Sequence, residues 1–100
     1  MHIISLKMLR DFWKKHQSAE APLRNWHSIT EKTRFADMHH LKRVFNGVDY
    51  SEPYTIFNVG GNNYRVIALV YYPVGKVYIR YVFTHREYDD WCKQHRQGKG

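Results

Sequence analysis

Residues 57–72, FNVGGNNYRVIALVYY, and residues 76–91, KVYIRYVFTHREYDDW, constrain the fold more than any other part of this chain. From Tyr64 to Tyr72 the run is almost continuously apolar and rich in β-branched and aromatic side chains, the pattern of a buried central strand. Gly60-Gly61-Asn62-Asn63 before it supplies the positive φ that a tight reversal needs, so a strand over residues 54–59 is expected to pair with it as a hairpin. After the turn from Pro73 to Gly75, Val77, Ile79, Tyr81 and Phe83 alternate with Tyr78, Arg80, Val82 and Thr84. The sequence therefore predicts a three-stranded antiparallel meander.

The flanking segments read as helices. Thr84-His85-Arg86-Glu87 is a capping box, in which the Thr84 hydroxyl takes the Glu87 amide and the Glu87 carboxylate reaches back. Tyr88, Trp91, Cys92 and His95 then share one helical face, and residues 97–100, with nothing to bury, are expected to fray. At the other end, residues 2–5 suit a brief edge strand, followed by a helical stripe of Leu6, Leu9, Trp13 and His16. The pattern breaks over residues 17–22, and Pro22 suits the first turn of a second helix carrying Leu23, Trp26, Ile29 and Thr33. Between residues 35 and 53 the signal is weaker: Asp37 caps a short turn through Met38, Leu41 and Val44, Asn46-Gly47 marks a turn, and the rest is expected to be irregular connection. The expected architecture is α+β in a single domain over residues 1–100, an N-terminal strand and helical hairpin packed on the meander and followed by a C-terminal helix.

Composition narrows the function classes. Hydrophobic residues at 43% and aromatics at 16% exclude a disordered chain, while a net charge of +7 over 100 residues favours a polyanionic partner: nucleic acid, an anionic lipid surface or an acidic protein. A lone cysteine, Cys92, rules out an internal disulfide framework and fits a reducing cytoplasm. No stretch approaches the roughly 18 apolar residues of a membrane span, and the N-terminus lacks the apolar core of a signal peptide. Cytoplasmic residence is the expectation.

Among groups able to do chemistry, Arg65 stands out because it interrupts the apolar central strand directly after the Gly-Gly-Asn-Asn turn. No Asp or Glu lies between Pro53 and Arg86, so no carboxylate on the neighbouring strands is available to pair with it. Alternation points Arg80 away from Val77 and Ile79, toward a sheet face that it would share with Arg65. Two guanidiniums there would neutralise the charge that accumulates on a phosphate as it becomes pentacoordinate. His85 falls at a capped helix start, where a neutral imidazole near a phosphate can act as a base. Tyr88, one turn on, is suited to hydrogen-bond the phosphate or stack on a base, although its stripe with Trp91 and Cys92 is equally that of a core residue. Seven histidines raise the question of zinc, but no paired-ligand spacing is present and no metal is expected. Gly60-Gly61 is hairpin chemistry, since neither GxxxxGK[ST] nor GxGxxG follows.

FNVGGNNYRVIALV, VYIRYVFTHREYD and the upstream LKRVF (residues 41–45) closely resemble the HigB family of toxins from bacterial type II toxin–antitoxin modules, and the resemblance covers essentially the whole chain. It implies a RelE-like fold and an mRNA interferase that needs no cofactor and cleaves messages on the translating ribosome by 2′-hydroxyl attack. The implied partners are a HigA-type helix-turn-helix antitoxin, through which alone operator DNA would be met, and mRNA with ribosomal RNA. Carried over, Arg65 matches the strand arginine that contacts the scissile phosphate, and His85 and Tyr88 match the helix-start histidine and the tyrosine one turn later. The strand lysines of some RelE toxins have no counterpart, their positions corresponding to Ile56 and Asn58, so His85 or a basic residue of LKRVF, Lys42, would supply the base. Asn58, Asn62, Arg43 and Arg86 are the expected RNA contacts. The competing expectation is a non-catalytic basic module that binds RNA or a protein through the same surface.

Overall fold

The apolar run at residues 64–72 forms the middle strand of the molecule. In the computed structural model, which describes residues 1–97, the chain runs through β1 (His2–Ile4), α1 (Leu6–Lys15), a 3-10 turn (Gln17–Ala19), α2 (Glu20–Lys32), α3 (Met38–Val44), β2 (Val48–Ser51), β3 (Tyr54–Val59), β4 (Tyr64–Tyr71), β5 (Lys76–Thr84) and α4 (His85–Gln97). The sheet order is β1-β5-β4-β3-β2. The expected antiparallel meander is its core, β3–β4–β5, and one strand is added on each side. On one edge β1 pairs in parallel with the start of β5, Ile3 opposite Val77. On the other, β2 pairs antiparallel with β3, Val48 opposite Phe57 and Asp49 opposite Ile56. The α+β reading therefore stands, and part of the segment expected to be irregular is an edge strand. A four-residue strand reading VDYS is too short and too polar to announce itself by alternation; the open hydrogen-bonding edge of β3 orders it.

The helical hairpin covers one face of the sheet. Leu9 of α1 and Leu23 and Trp26 of α2 are buried, with Phe35 and Leu41, against Phe57 and Val59 of β3, Val66 and Ala68 of β4, and Val77 and Ile79 of β5. Phe57 is the centre of an edge-to-face aromatic group, its ring 5.2 Å from Trp26 and 5.5 Å from Phe45. The other face is covered at one end by α4, whose Trp91 packs 5.5 Å from Tyr54, 6.0 Å from Tyr81 and 6.3 Å from Phe83.

Strand β5 departs from simple alternation. Ile67 lies opposite Tyr81 but Ala68 opposite Ile79, so Arg80 is the extra residue of a β-bulge. Beyond it the phase is inverted: Val82 joins Val77 and Ile79 on the hairpin side, while Tyr81 and Phe83 turn toward α4. The expectation that Tyr81 and Phe83 would share a face with Val77 and Ile79 fails for this reason.

Local chemistry fixes the joints. The Asp37 carboxylate accepts the His40 amide at 2.9 Å as the cap of α3, and the capping box of α4 is closed in both directions, Glu87 N–H to Thr84 Oγ1 at 3.2 Å and Thr84 N–H to Glu87 Oε1 at 2.8 Å. The Met1 ammonium donates to the carbonyls of Thr30, Glu31 and Thr33 at 2.9–3.2 Å, placing a positive charge on the negative end of the α2 dipole. Gly75 has φ +66°, and a β-carbon there would collide with the Arg34 guanidinium, which donates to the carbonyls of Tyr72 and Pro73. No helix among the described residues is long and apolar enough to cross a membrane. Residues 98–100 of the tail expected to fray lie outside the described residues.

These joints differ in weight, and denaturation should rank them. Phe57→Ala, which empties the aromatic centre, is expected to cost about 3–5 kcal/mol. Thr84→Ala, which removes one cap, is expected to cost about 1 kcal/mol. Urea unfolding midpoints of the two variants would check the order; equal losses would mean that the Phe57 cluster is not the centre of the core.

Candidate active site

The Gly-Gly-Asn-Asn turn and the β5–α4 junction meet at one end of the sheet. His85, the first residue of α4, donates its backbone N–H to the Asn63 carbonyl at 2.9 Å, tying the helix start to the turn. Arg65, just inside that turn, lies opposite Asn58 of β3 on one side and Phe83 of β5 on the other. Opposed residues of neighbouring strands point to the same face, so Arg65 projects to the α4 side.

Arg65 is only 7% exposed. Its Nη1 donates to the Asn62 and Tyr64 carbonyls, both at 3.1 Å, and its guanidinium carbon lies 5.1 Å from the centre of the Tyr88 ring. Among the described residues no carboxylate forms an ion pair with it. A largely desolvated cation held by two carbonyls and an aromatic face keeps a net positive charge with donors to spare, since a guanidinium has five N–H groups. Such a cation has the chemistry to receive an anion.

Tyr88 is half-buried beneath this charge, its ring stacked 6.1 Å from Trp91. Burial pushes its phenol well above the ordinary tyrosine range; the hydrogen bond with Cys92 and the negative potentials of Cys92 and Asp49 act in the same direction, and Arg65 opposes them. The phenol is thus held protonated, a donor over the whole neutral range. His85 is exposed, and its Nδ1 lies 3.1 Å from Asp89 Oδ2, one helical turn away. The contact is an i,i+4 charge pairing, present when the imidazole is protonated, and it keeps Asp89 beside the ring. Asp89 was missed in the sequence reading, although its i,i+4 spacing from His85 on a well-capped helix is a legible signal.

Of the other expected residues, Asn58 and Asn62 join the group. The Asn58 amide donates to Asn62 Oδ1 at 3.5 Å and is backed by Gly47, where any β-carbon would strike it. Arg86 follows His85 on the exposed first turn of α4. Lys42 and Arg43 belong to α3, which packs through Leu41 and the following Phe45 on the hairpin side of the sheet; among the described residues no hydrogen bond or ion pair links either to Arg65, His85 or Tyr88. Arg80 is not brought beside Arg65. The register sets Phe83 opposite Arg65, and Arg80 lies three residues before it, a separation of about 10 Å along the strand. There it lines an open groove with Leu69, Tyr71 and Tyr78. Among the described residues no group of three or more His, Cys, Asp and Glu side chains is placed to hold a metal ion; His40 instead accepts the Ala36 amide at 3.2 Å.

The Tyr88 phenol has a measurable consequence. Its folded-state pKa lies above the unfolded value of 10.0, so the stability tied to its neutral form is intact below that pH and is lost as pH rises beyond it. Thermal unfolding followed through the alkaline range should fall more steeply for the native protein than for Tyr88→Phe. Identical pH profiles would mean that the phenol is not held protonated by its surroundings.

Comparison with known proteins identifies the family. A family model described as the HigB toxin, RelE-like toxic component of a toxin–antitoxin system, matches residues 19–91, a span that includes Arg65, His85, Tyr88 and Asp89. The mRNA interferase toxin HigB of Escherichia coli K12 is 38% identical over 99 residues, covering 96% of this chain and 95% of its own length, and the mRNA interferase HigB of Shigella flexneri matches to the same extent. The mRNA interferase HigB of Escherichia coli O6:H1 is 26% identical over 102 residues, covering 99% of both chains. A family match over most of the chain and a relative aligned from end to end lead to one conclusion: the chain belongs to the HigB toxin family, the RelE-like toxic components of toxin–antitoxin systems.

Proposed function

We propose that this protein is an mRNA interferase, an endoribonuclease toxin that blocks translation by cutting messages on the ribosome. The observation that carries the proposal is Arg65: a buried guanidinium on a central strand, without a carboxylate partner among the described residues, facing a protonated tyrosine and close to a helix start that bears a histidine.

The chemistry follows from those groups. The scissile phosphate docks on the free donors of Arg65, with Asn58 and Asn62 alongside. His85, with Asp89 one helical turn away, takes the proton of the ribose 2′-hydroxyl, and the 2′-oxygen attacks the adjacent phosphorus. Charge builds on the phosphorane oxygens and is met by Arg65 in a poorly solvated setting, where a fixed cation is most effective. The bond to the 5′-oxygen breaks, and that oxygen takes a proton from Tyr88, leaving a 2′,3′-cyclic phosphate and a 5′-hydroxyl. Each proton is handled by a side chain, so the reaction as written requires no metal. In-line positioning of the 2′-hydroxyl contributes much of the rate, and a ribosome that holds the message bent would supply it.

Outside the site, Arg86, Lys42, Arg43 and Arg80 belong to the exposed basic surface and grip ribosomal RNA and mRNA with an affinity that falls as salt rises. The regulating partner is an antitoxin of the HigA type, through which operator DNA is reached, and the compartment is the cytoplasm. Arg65→Ala is expected to lower message cleavage by about 10²–10³-fold, with Arg65→Lys recovering only part, because an ammonium lacks the planar fork. Mapping of mRNA 5′ ends after brief induction checks this. New cleavage sites that persist unchanged in Arg65→Ala would remove Arg65 from the reaction, and growth inhibition without any cleavage would replace the nuclease by a non-catalytic RNA-binding module.

A further inference from the structure

A cleft of about 320 Å3 opens next to the candidate active site, between the edge strand β2 and helix α4. Tyr88 belongs to both: its ring face carries Arg65, and it also lines the cleft with Asp49, Ser51, Ile56, Trp91 and His95. The volume is at the lower end of the range for small-ligand sites, about 300–1,000 Å3. Asp49 lies opposite Ile56 and Ser51 opposite Tyr54, so both point to the α4 side of the sheet. The opposite wall is aromatic: the Trp91 and His95 rings are stacked 4.7 Å apart and within 8° of parallel. His95 Nε2 is buried and has no hydrogen-bond partner among the described residues.

A phosphate would be repelled by the Asp49 carboxylate, and an aliphatic ligand would leave that carboxylate and the His95 nitrogen unused. A flat heteroaromatic ring with N–H donors on one edge satisfies the apolar floor, the aromatic wall and the acceptor together. Resting on the endoribonuclease reading above, we propose that this cleft receives the nucleobase next to the scissile phosphate, and that Asp49 makes it selective for guanine. Guanine alone among the RNA bases presents two adjacent N–H donors, N1–H and the N2 amino group, to a single carboxylate. Adenine offers an acceptor beside its one amino group, cytosine likewise, and uracil places a single N–H between two carbonyls, so each sets a lone pair against Asp49. The potential of Asp49 also reaches Tyr88, where it helps to hold the phenol protonated; the base-reading and proton-handling groups are therefore neighbours.

The test is 5′-end mapping of cellular mRNA after brief induction of the native chain, Asp49→Asn, Asp49→Ala and Arg65→Ala. Asp49 is exposed, and the isosteric Asn keeps the shape of the site should the Ala variant fold poorly. The expected result is a guanine enrichment beside the cut in the native profile that falls about tenfold or more, relative to cuts beside the other bases, in both Asp49 variants. No guanine enrichment in the native profile, or a base profile unaltered by either substitution while cleavage remains sensitive to Arg65→Ala, would overturn the assignment. Complete loss of cleavage in folded Asp49→Asn would overturn it too, by placing Asp49 in the reaction itself. Absence of any new cleavage in the native profile is a different outcome, which sinks the nuclease reading and this inference with it.

Discussion

A buried guanidinium without a counter-carboxylate among the described residues is the interaction on which the rest of the site depends. Burying an unpaired charge is costly, and a strand interior tolerates it only if carbonyl dipoles and a π face share the load. Here the Asn62 and Tyr64 carbonyls take one end of Arg65 and the Tyr88 ring takes its face. Those partners fix what surrounds them. The carbonyls require the turn to curl back over the strand, and the ring requires α4 to start close to it, which the Asn63–His85 backbone bond and the capping box secure. The electrostatics of the site and the geometry of its joints are consequently one construction.

The sheet divides labour between its faces. One is closed by the helical hairpin and holds most of the apolar core; the other is only partly closed by α4 and keeps the polar groups at its exposed end. Stability and chemistry are thus carried by opposite sides of the same strands, with Phe57 and Val66 facing one way and Asn58 and Arg65 the other.

What was legible in the sequence was local. The central strand, the Gly-Gly-Asn-Asn turn, the Asp37 cap and the Thr84–Glu87 box are each specified within a few residues and are present in the fold. Arg65 and His85 were marked by the turn and the capped junction, which are short-range signals, whereas Tyr88 was singled out mainly by the resemblance to HigB toxins, its own stripe being that of a core residue. The rest depended on pairing between distant segments. Strand β2 is ordered by the edge of β3 rather than by its own residues, and with it comes Asp49, which no local pattern marks. Arg80 was misplaced relative to Arg65 because the register that sets Phe83 opposite Arg65 is fixed by pairing between strands, which alternation within one strand does not reveal.

That bulge makes β5 a strand with two phases joined at one residue. Its first half serves the hairpin core and its second half the α4 core, and the inserted Arg80 is the gear between them. The extra residue is therefore what lets one strand serve both layers. Were the bulge flattened so that Arg80 paired with Ala68, the first half of β5 would turn over by half a pleat, taking Val77 and Ile79 out of the hairpin layer and setting Arg80 in their place. A substitution at residue 80 changes a surface side chain; the backbone slack that the residue supplies holds the two cores in phase.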